Sequence, residues 1–316
     1  MSLSLATFDF HPRTRVIRGV GALERLGVLA RELTSSRKVL LVTDPGIVAA
    51  GHAGRARGMM EAAGLTVSVF EQVRENPSTR DVAACLEVAR GAGIDLMVGL
   101  GGGSSMDTAK GCNFLLTNGG RMQDYWGIGK AARPLLPLIA IPTTAGTGSE
   151  CQSFALIADE ETHQKMACGD PKAAARVALL DPALTVSQPP RVTACTGVDA
   201  LAHALESAVT RTRNPVSALF SREAFVLANN ALPVVLATPG DQAARARMQW
   251  AAALAGMAIE QSMLGAAHAA ANPLTAQFGV VHGQAVGMLL PFVIRFNARD
   301  PQACELYLEL ALAAGI

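Results

Sequence analysis

Aromatic residues make up only 4% of this 316-residue chain, and its 27 Lys and Arg nearly balance 26 Asp and Glu, for a formal charge of +1. Such a chain exerts no long-range pull on phosphate backbones or anionic lipid, and it has few rings on which bases could stack. Nucleic acid is therefore not an expected partner. No C-x-x-C pair occurs. The six cysteines (Cys85, Cys112, Cys151, Cys168, Cys195 and Cys304) are scattered among apolar and small residues, which reads as free buried thiols and not as a disulfide framework. Only Cys151, close to a glycine-rich loop, raises the question of a reactive thiol. The opening Met1-Ser2-Leu3-Ser4 has neither the basic nor the continuous apolar stretch of a signal peptide, so a cytoplasmic location is the default expectation.

Charge is missing altogether from Gln261 to Ile294. Length alone would admit a membrane span there. Asn272-Pro273, Gln277, Gly279 and His282-Gly283-Gln284 interrupt the run with polar groups and helix breakers, which predicts two helices buried inside a soluble domain and no membrane partner.

What is present falls into two halves. Short apolar runs (Lys38 to Thr43, Thr66 to Phe70, Ile94 to Gly99 and Leu136 to Ile141) recur in the first, with helix-like segments such as Ala53 to Ala63 and Thr79 to Ala92 separating the first three. Strands alternating with helices predict an open parallel α/β domain. After Val186-Ser187-Gln188-Pro189-Pro190 the chain turns to long Ala- and Leu-rich segments with helical spacing. The expectation is an α/β dinucleotide-binding domain over 1–188, then an all-α metal-binding domain over 189–316.

The strand ending at Gly99-Leu100 runs into Gly101-Gly102-Gly103-Ser104-Ser105-Met106-Asp107-Thr108-Ala109-Lys110. Glycines admit close backbone approach, Ser104 can cap the next helix, and a helix N-terminus suits a pyrophosphate. Two other phosphate patterns fail. Gly19-Val20-Gly21 lacks the third glycine of the dinucleotide fingerprint, and the Gly103 to Lys110 stretch has no glycine before its lysine, so it is no Walker A loop. Pro142 to Glu150 adds a second cluster of hydroxyls and backbone donors. Asp44, directly after a strand, suits ribose hydroxyls and would repel a 2′-phosphate; Asp44-Pro45-Gly46 is equally an ordinary turn.

Asp199 and His203, four residues apart, share one face of a helix, and the later His268 and His282 can complete a four-ligand metal site. Three neutral imidazoles and a carboxylate suit Fe2+ or Zn2+ equally.

In combination, the Gly101 to Lys110 loop, Pro142-Thr143-Thr144-Ala145-Gly146-Thr147-Gly148-Ser149-Glu150, the Gly197 to Glu206 helix, Gly265 to His268 and Val281 to Gly283 resemble the iron-containing (group III) alcohol dehydrogenase family. The resemblance implies a metal in a cleft between an α/β and a helical domain. It assigns Asp199, His203, His268 and His282 as ligands of Fe2+, with Zn2+ as the alternative. It implies NAD held by Asp44, Asn76, Gly102, Gly103, Ser104, Asp107, Thr143, Thr144, Thr147, Lys165 and Leu184, an alcohol, aldehyde or ketone as substrate, and a homo-oligomer. Two departures stand out. Asn272 occupies the place of a frequent family histidine that could relay a proton. The chain also ends at Ile316, where the family continues through further helices, which leaves two expectations: a C-terminally incomplete helical domain, or a shortened one with a more open site. The rival readings are a lyase of the dehydroquinate synthase type and a silent nucleotide-binding protein.

Overall fold

The computed structural model describes residues 7–316; the Met1 to Ser4 opening lies outside them. Two compact units emerge, one of Arg13–Thr143 with Ser153–Ser187, the other of Gln188–Ile316 with Thr144–Gln152 and the segment up to Pro12.

The first unit carries nine strands: β1 (Arg15–Arg18), β2 (Lys38–Val42), β3 (Thr66–Phe70), β4 (Leu96–Gly101), β5 (Gly127–Ile128), β6 (Leu138–Pro142), β7 (Phe154–Ala158), β8 (Lys165–Gly169) and β9 (Val177–Leu180). Its helices are α1 (Leu26–Leu33), α2 (Pro45–Ala49), α3 (His52–Ala62), α4 (Thr79–Ala92) and α5 (Gly103–Asn118). Six strands form one parallel sheet in the order β1-β9-β6-β4-β2-β3. β4 is buried along its whole length and β2 from Val39 onward, as expected where helices cover both faces of a sheet. Alternate residues sort onto the two faces. Leu40, Val42, Met97 and Ala140 join one core with α4 and α5, while Val39, Leu41, Leu96, Val98 and Ile139 join the other with α1 and α3. A second, three-stranded sheet, β5-β8-β7, contains the antiparallel β7–β8 pair and was not foreseen from the sequence.

Asp95, just before β4, accepts hydrogen bonds from Thr34 Oγ1 (2.5 Å), Ser35 N (2.7 Å) and Ser36 N (2.6 Å). Burial alone would raise its carboxyl, but these donors outweigh it and hold the group well below the usual carboxylate range. A depressed folded value means that the stabilisation is complete above the unfolded value of about 3.9 and is lost as pH falls through the folded one. Asp95→Asn is expected to lower Tm by roughly 2–4 °C at neutral pH. The gap between variant and wild type should close as the thermal melts are repeated at pH values below about 4.

The second unit holds α6 (Pro190–Val209), α7 (Pro215–Ala237), α8 (Gln242–Ser262), α9 (Ala266–Phe278), α10 (His282–Asn297) and α11 (Pro301–Ala314). Among its described residues this unit has no strand. Small residues let its helices approach closely. On α10, Gly283 and Gly287 lie one turn apart against α6: a Cβ on Gly283 would overlap the Cys195 carbonyl, and one on Gly287 would come within 2.7 Å of Val198 Cγ1.

Four sequence expectations are corrected. Pro273 does not break its helix. It sits inside α9 because the carbonyl that its missing N–H leaves free, on Ala269, belongs to an exposed residue; the break comes at Gly279, in the left-handed conformation at φ 64°. The charge-free run does form two helices, but they are not both buried: Met288, Phe292 and Phe296 of α10 are 59%, 67% and 66% exposed. Ser104 is not a cap, since α5 begins at Gly103 with Gly102 as the N-cap. Cys85, Cys112, Cys151 and Cys168 are buried free thiols, whereas Cys195 and Cys304 are partly exposed. No helix among the described residues is long and apolar enough to cross a membrane.

Candidate metal centre and nucleotide edge

Helix α6 aims Asp199, His203 and Glu206 along one face, at spacings of four and three residues. His268 lies in the first turn of α9, and His282 opens α10. From Asp199 Oδ1, the Nε2 atoms stand at 3.3 Å (His268), 3.6 Å (His203) and 3.8 Å (His282). Asp199, His268 and His282 form one group whose ligand atoms all lie within 4.8 Å of each other. His203 stands outside that mutual group and joins it through Asp199, with its ring stacked on His268 at 4.6 Å between centroids.

The other nitrogen of two of these rings is already engaged. His203 Nδ1 lies 3.2 Å from the Gly146 carbonyl, and His268 Nδ1 lies 2.5 Å from Glu206 Oε2. A carbonyl can only accept, so Nδ1 of His203 carries the proton and Nε2 presents a lone pair. The Gly146 carbonyl is held close because that residue packs on α6; a Cβ there would come within 2.5 Å of the Thr196 carbonyl oxygen.

Charge at the centre is strongly coupled. Burial would raise the Asp199 carboxyl, but the charge of His203, the hydrogen bond from His268 and the charge of His282 hold it well below its ordinary range. Burial drives His203 down to about 4, against the pull of Asp199. It would lower His268 too, yet hydrogen bonds to Asp199 and Glu206 raise that imidazole to about 9. Glu206 is lowered, its burial outweighed by bonds from His268 and Ala267.

Four donors about 2.1 Å from a central tetrahedral ion stand roughly 3.4 Å apart. The separations of 3.3 and 3.8 Å from Asp199 Oδ1 to His268 and His282, within a group whose ligand atoms all lie within 4.8 Å of one another, surround that value, His203 adds a fourth nitrogen 3.6 Å from the carboxylate, and imidazole with carboxylate is a donor set suited to iron or zinc. The residues present thus fit a first-row divalent ion.

The residues assigned to the nucleotide gather where parallel-sheet ligands bind, at the carboxyl ends of strands. In the first unit, Asp44 follows β2, Asn76 lies between β3 and α4 with φ 52°, Gly102 to Asp107 follow β4, Thr143 follows β6 and Leu184 follows β9. Thr144 and Thr147 continue from Thr143 into the other unit. Lys165 is apart from these ends, on β8 of the small sheet, and the Leu184 side chain is buried in the core. Asp44 accepts from Ile47 N at 3.1 Å, capping α2, and from Ser105 Oγ at 3.3 Å. Gly101, at φ 150°, has no room for a side chain beside Ser105 and Asp44. The N-cap of α5 makes no side-chain hydrogen bond, and in the same unit the buried hydroxyl of Thr43 has no partner in the structure. An unsatisfied buried hydroxyl and an uncapped helix start fit a phosphate-bearing ligand.

Glu206 is the site residue that the sequence reading left unassigned. The signal was its place on the Asp199–His203 face, seven residues after Asp199.

A parallel α/β unit with a glycine turn, joined in one chain to a helical unit bearing a carboxylate and three imidazoles, defines an architecture suited to a nucleotide and a metal ion. The model of the family described as iron-containing alcohol dehydrogenase matches residues 12–182, and that of the C-terminal part of the Fe-containing alcohol dehydrogenase family matches residues 193–315. The chain belongs to the iron-containing alcohol dehydrogenase family. It is 39% identical to alcohol dehydrogenase 4 of Schizosaccharomyces pombe over 272 residues, which cover 86% of this chain and 64% of that protein. It is 36% identical to the NAD-dependent methanol dehydrogenase of Bacillus methanolicus, covering 91% of this chain and 75% of the relative. The structure of an alcohol dehydrogenase from Oenococcus oeni superposes with a TM-score of 0.93 at 32% identity, covering 98% of this chain and 81% of the other.

Proposed function

We propose that the chain is a metal-dependent alcohol oxidoreductase that passes a hydride between a small alcohol and NAD, giving an aldehyde or ketone. The observation that carries this is the donor spacing around Asp199 Oδ1. Asp199, His203, His268 and His282 would hold the ion, Fe2+ by family, with Zn2+ equally suited by donor chemistry. When bound, the ion supplies Lewis acidity toward the substrate oxygen.

The rest falls to the chain's own groups. The Gly102 to Asp107 start of α5 offers backbone N–H groups to a pyrophosphate, and Thr143, Thr144 and Thr147 add hydroxyls. Asp44, held by Ile47 N and Ser105 Oγ, offers its carboxylate to ribose hydroxyls and opposes a 2′-phosphate. A relative named as an NAD-dependent methanol dehydrogenase supports the same cofactor and a short alcohol. Asn272 stands four residues after His268 and has no proton to exchange at neutral pH, so that position is no relay.

The test is metal analysis of anaerobically purified protein, together with NADH formation from primary alcohols. Bound iron or zinc with accumulating NADH is expected. Tight NAD binding with no net NADH would favour the lyase or the silent binder. Replacing Asp44 with glycine is expected to shift the ratio of kcat/KM for NADP over NAD upward by at least about tenfold, since the carboxylate is the group set against a 2′-phosphate.

A further inference from the structure

Glu206 is 1% exposed, and its two oxygens receive three donors from the start of α9: Ala267 N at 2.7 Å, His268 N at 3.3 Å and His268 Nδ1 at 2.5 Å. The N-cap of that helix, Gly265, supplies no side-chain bond, so Glu206 of α6 is the anion at its positive end. Gly265 has to be small for this: a Cβ there would come within 2.7 Å of Glu206 Oε1.

We propose that Glu206 is the positioning residue of the metal centre, holding the Nδ1–H and the aim of His268 so that Nε2, which donates to Asp199 in this structure, would turn its lone pair to an ion bound beside that carboxylate; this rests on the metal reading above. One carboxylate holds both the backbone that carries His268 and the ring itself. With the Nδ1 proton pinned on Glu206 and the frame of the helix pinned beside it, Nε2 has one direction in which to point, 3.3 Å from Asp199 Oδ1. Metal-bound imidazoles held this way by a carboxylate lose metal affinity when the outer partner is changed. A carboxylate that only capped α9 would need the two backbone donors and not the ring nitrogen.

The test is Co2+ affinity, with the Co2+ absorption spectrum as a report on ligand geometry, in wild type and Glu206→Gln. Glutamine keeps the volume but sets an NH2 against one of the three donors. Affinity is expected to fall by roughly ten- to a hundredfold, with an altered spectrum, in protein whose circular dichroism matches the wild type. A folded E206Q that binds Co2+ as wild type does overturns the proposal and leaves the metal reading standing. A wild type that takes up no Co2+ overturns both. The Zn2+-loaded wild type gives a second measurement that needs no variant to fold: 15N-histidine NMR should show an exchange-protected Nδ1 proton on His268, and its absence also overturns the assignment.

Discussion

Asp199→Ala is expected to strip the protein of bound metal and to lower alcohol oxidation by at least about a thousandfold. Asp199 is the one carboxylate that all three imidazoles approach, at 3.3 to 3.8 Å. Without it, a divalent ion would face three neutral rings in a buried pocket with no directly coordinating anion, and the cost of desolvating the ion would have no local offset. Alanine also removes one of the two groups that raise His268, leaving Glu206 to do so alone. Asp199→Asn keeps the shape and a carbonyl acceptor, so it should retain weak binding and fall between alanine and wild type. The measurements are metal per chain by elemental analysis and NADH formation under saturating alcohol. Full metal occupancy in folded Asp199→Ala would defeat the ligand assignment.

Gly283→Ala is expected to be nearly as damaging, although it adds one methyl group and no charge. That methyl would overlap the carbonyl of Cys195, one turn before Asp199 on α6. Backbone cannot swing aside as the end of a side chain can, so the two helices must separate. Overpacking of this kind destabilises by roughly 1–3 kcal/mol. His282 immediately precedes Gly283, so the same separation draws that ligand away from Asp199. Thermal melts should show a lower Tm for the metal-free variant, and titration with Co2+ should show weaker binding than wild type. Wild-type stability together with wild-type affinity would mean that α6 and α10 do not depend on this contact.

What could be read in the sequence followed from local spacing. Asp199 and His203 share a helix face by arithmetic, and runs such as Lys38 to Val42 declare buried parallel strands through their composition. The two later histidines needed the family resemblance, because spacings of 65 and 14 residues say nothing about proximity. What escaped depends on groups distant in the chain. Glu206 acquires its role only when a helix beginning 60 residues later docks on it, and the Gly146 carbonyl becomes a partner of His203 only through packing against Thr196. Pro273 stays inside α9, with the break left to Gly279, because its effect depends on whether the released carbonyl meets water, a property of exposure and not of the residue type. In chain order the β7–β8 hairpin falls between β6 and β9, yet it joins a separate sheet, where alternation of strand and helix suggests only further parallel pairing.

The way α9 is anchored also determines how the centre comes apart. Its first turn is tied down by a side chain from another helix, with no cap of its own, and Gly279 interrupts the helical run before α10. Helix ends open locally long before a domain unfolds. Were that first turn to fray, His268 would leave with it, and the proposed centre would lose a ligand. The expected consequence is that a metal-loaded protein would lose activity on warming before it loses bulk helix.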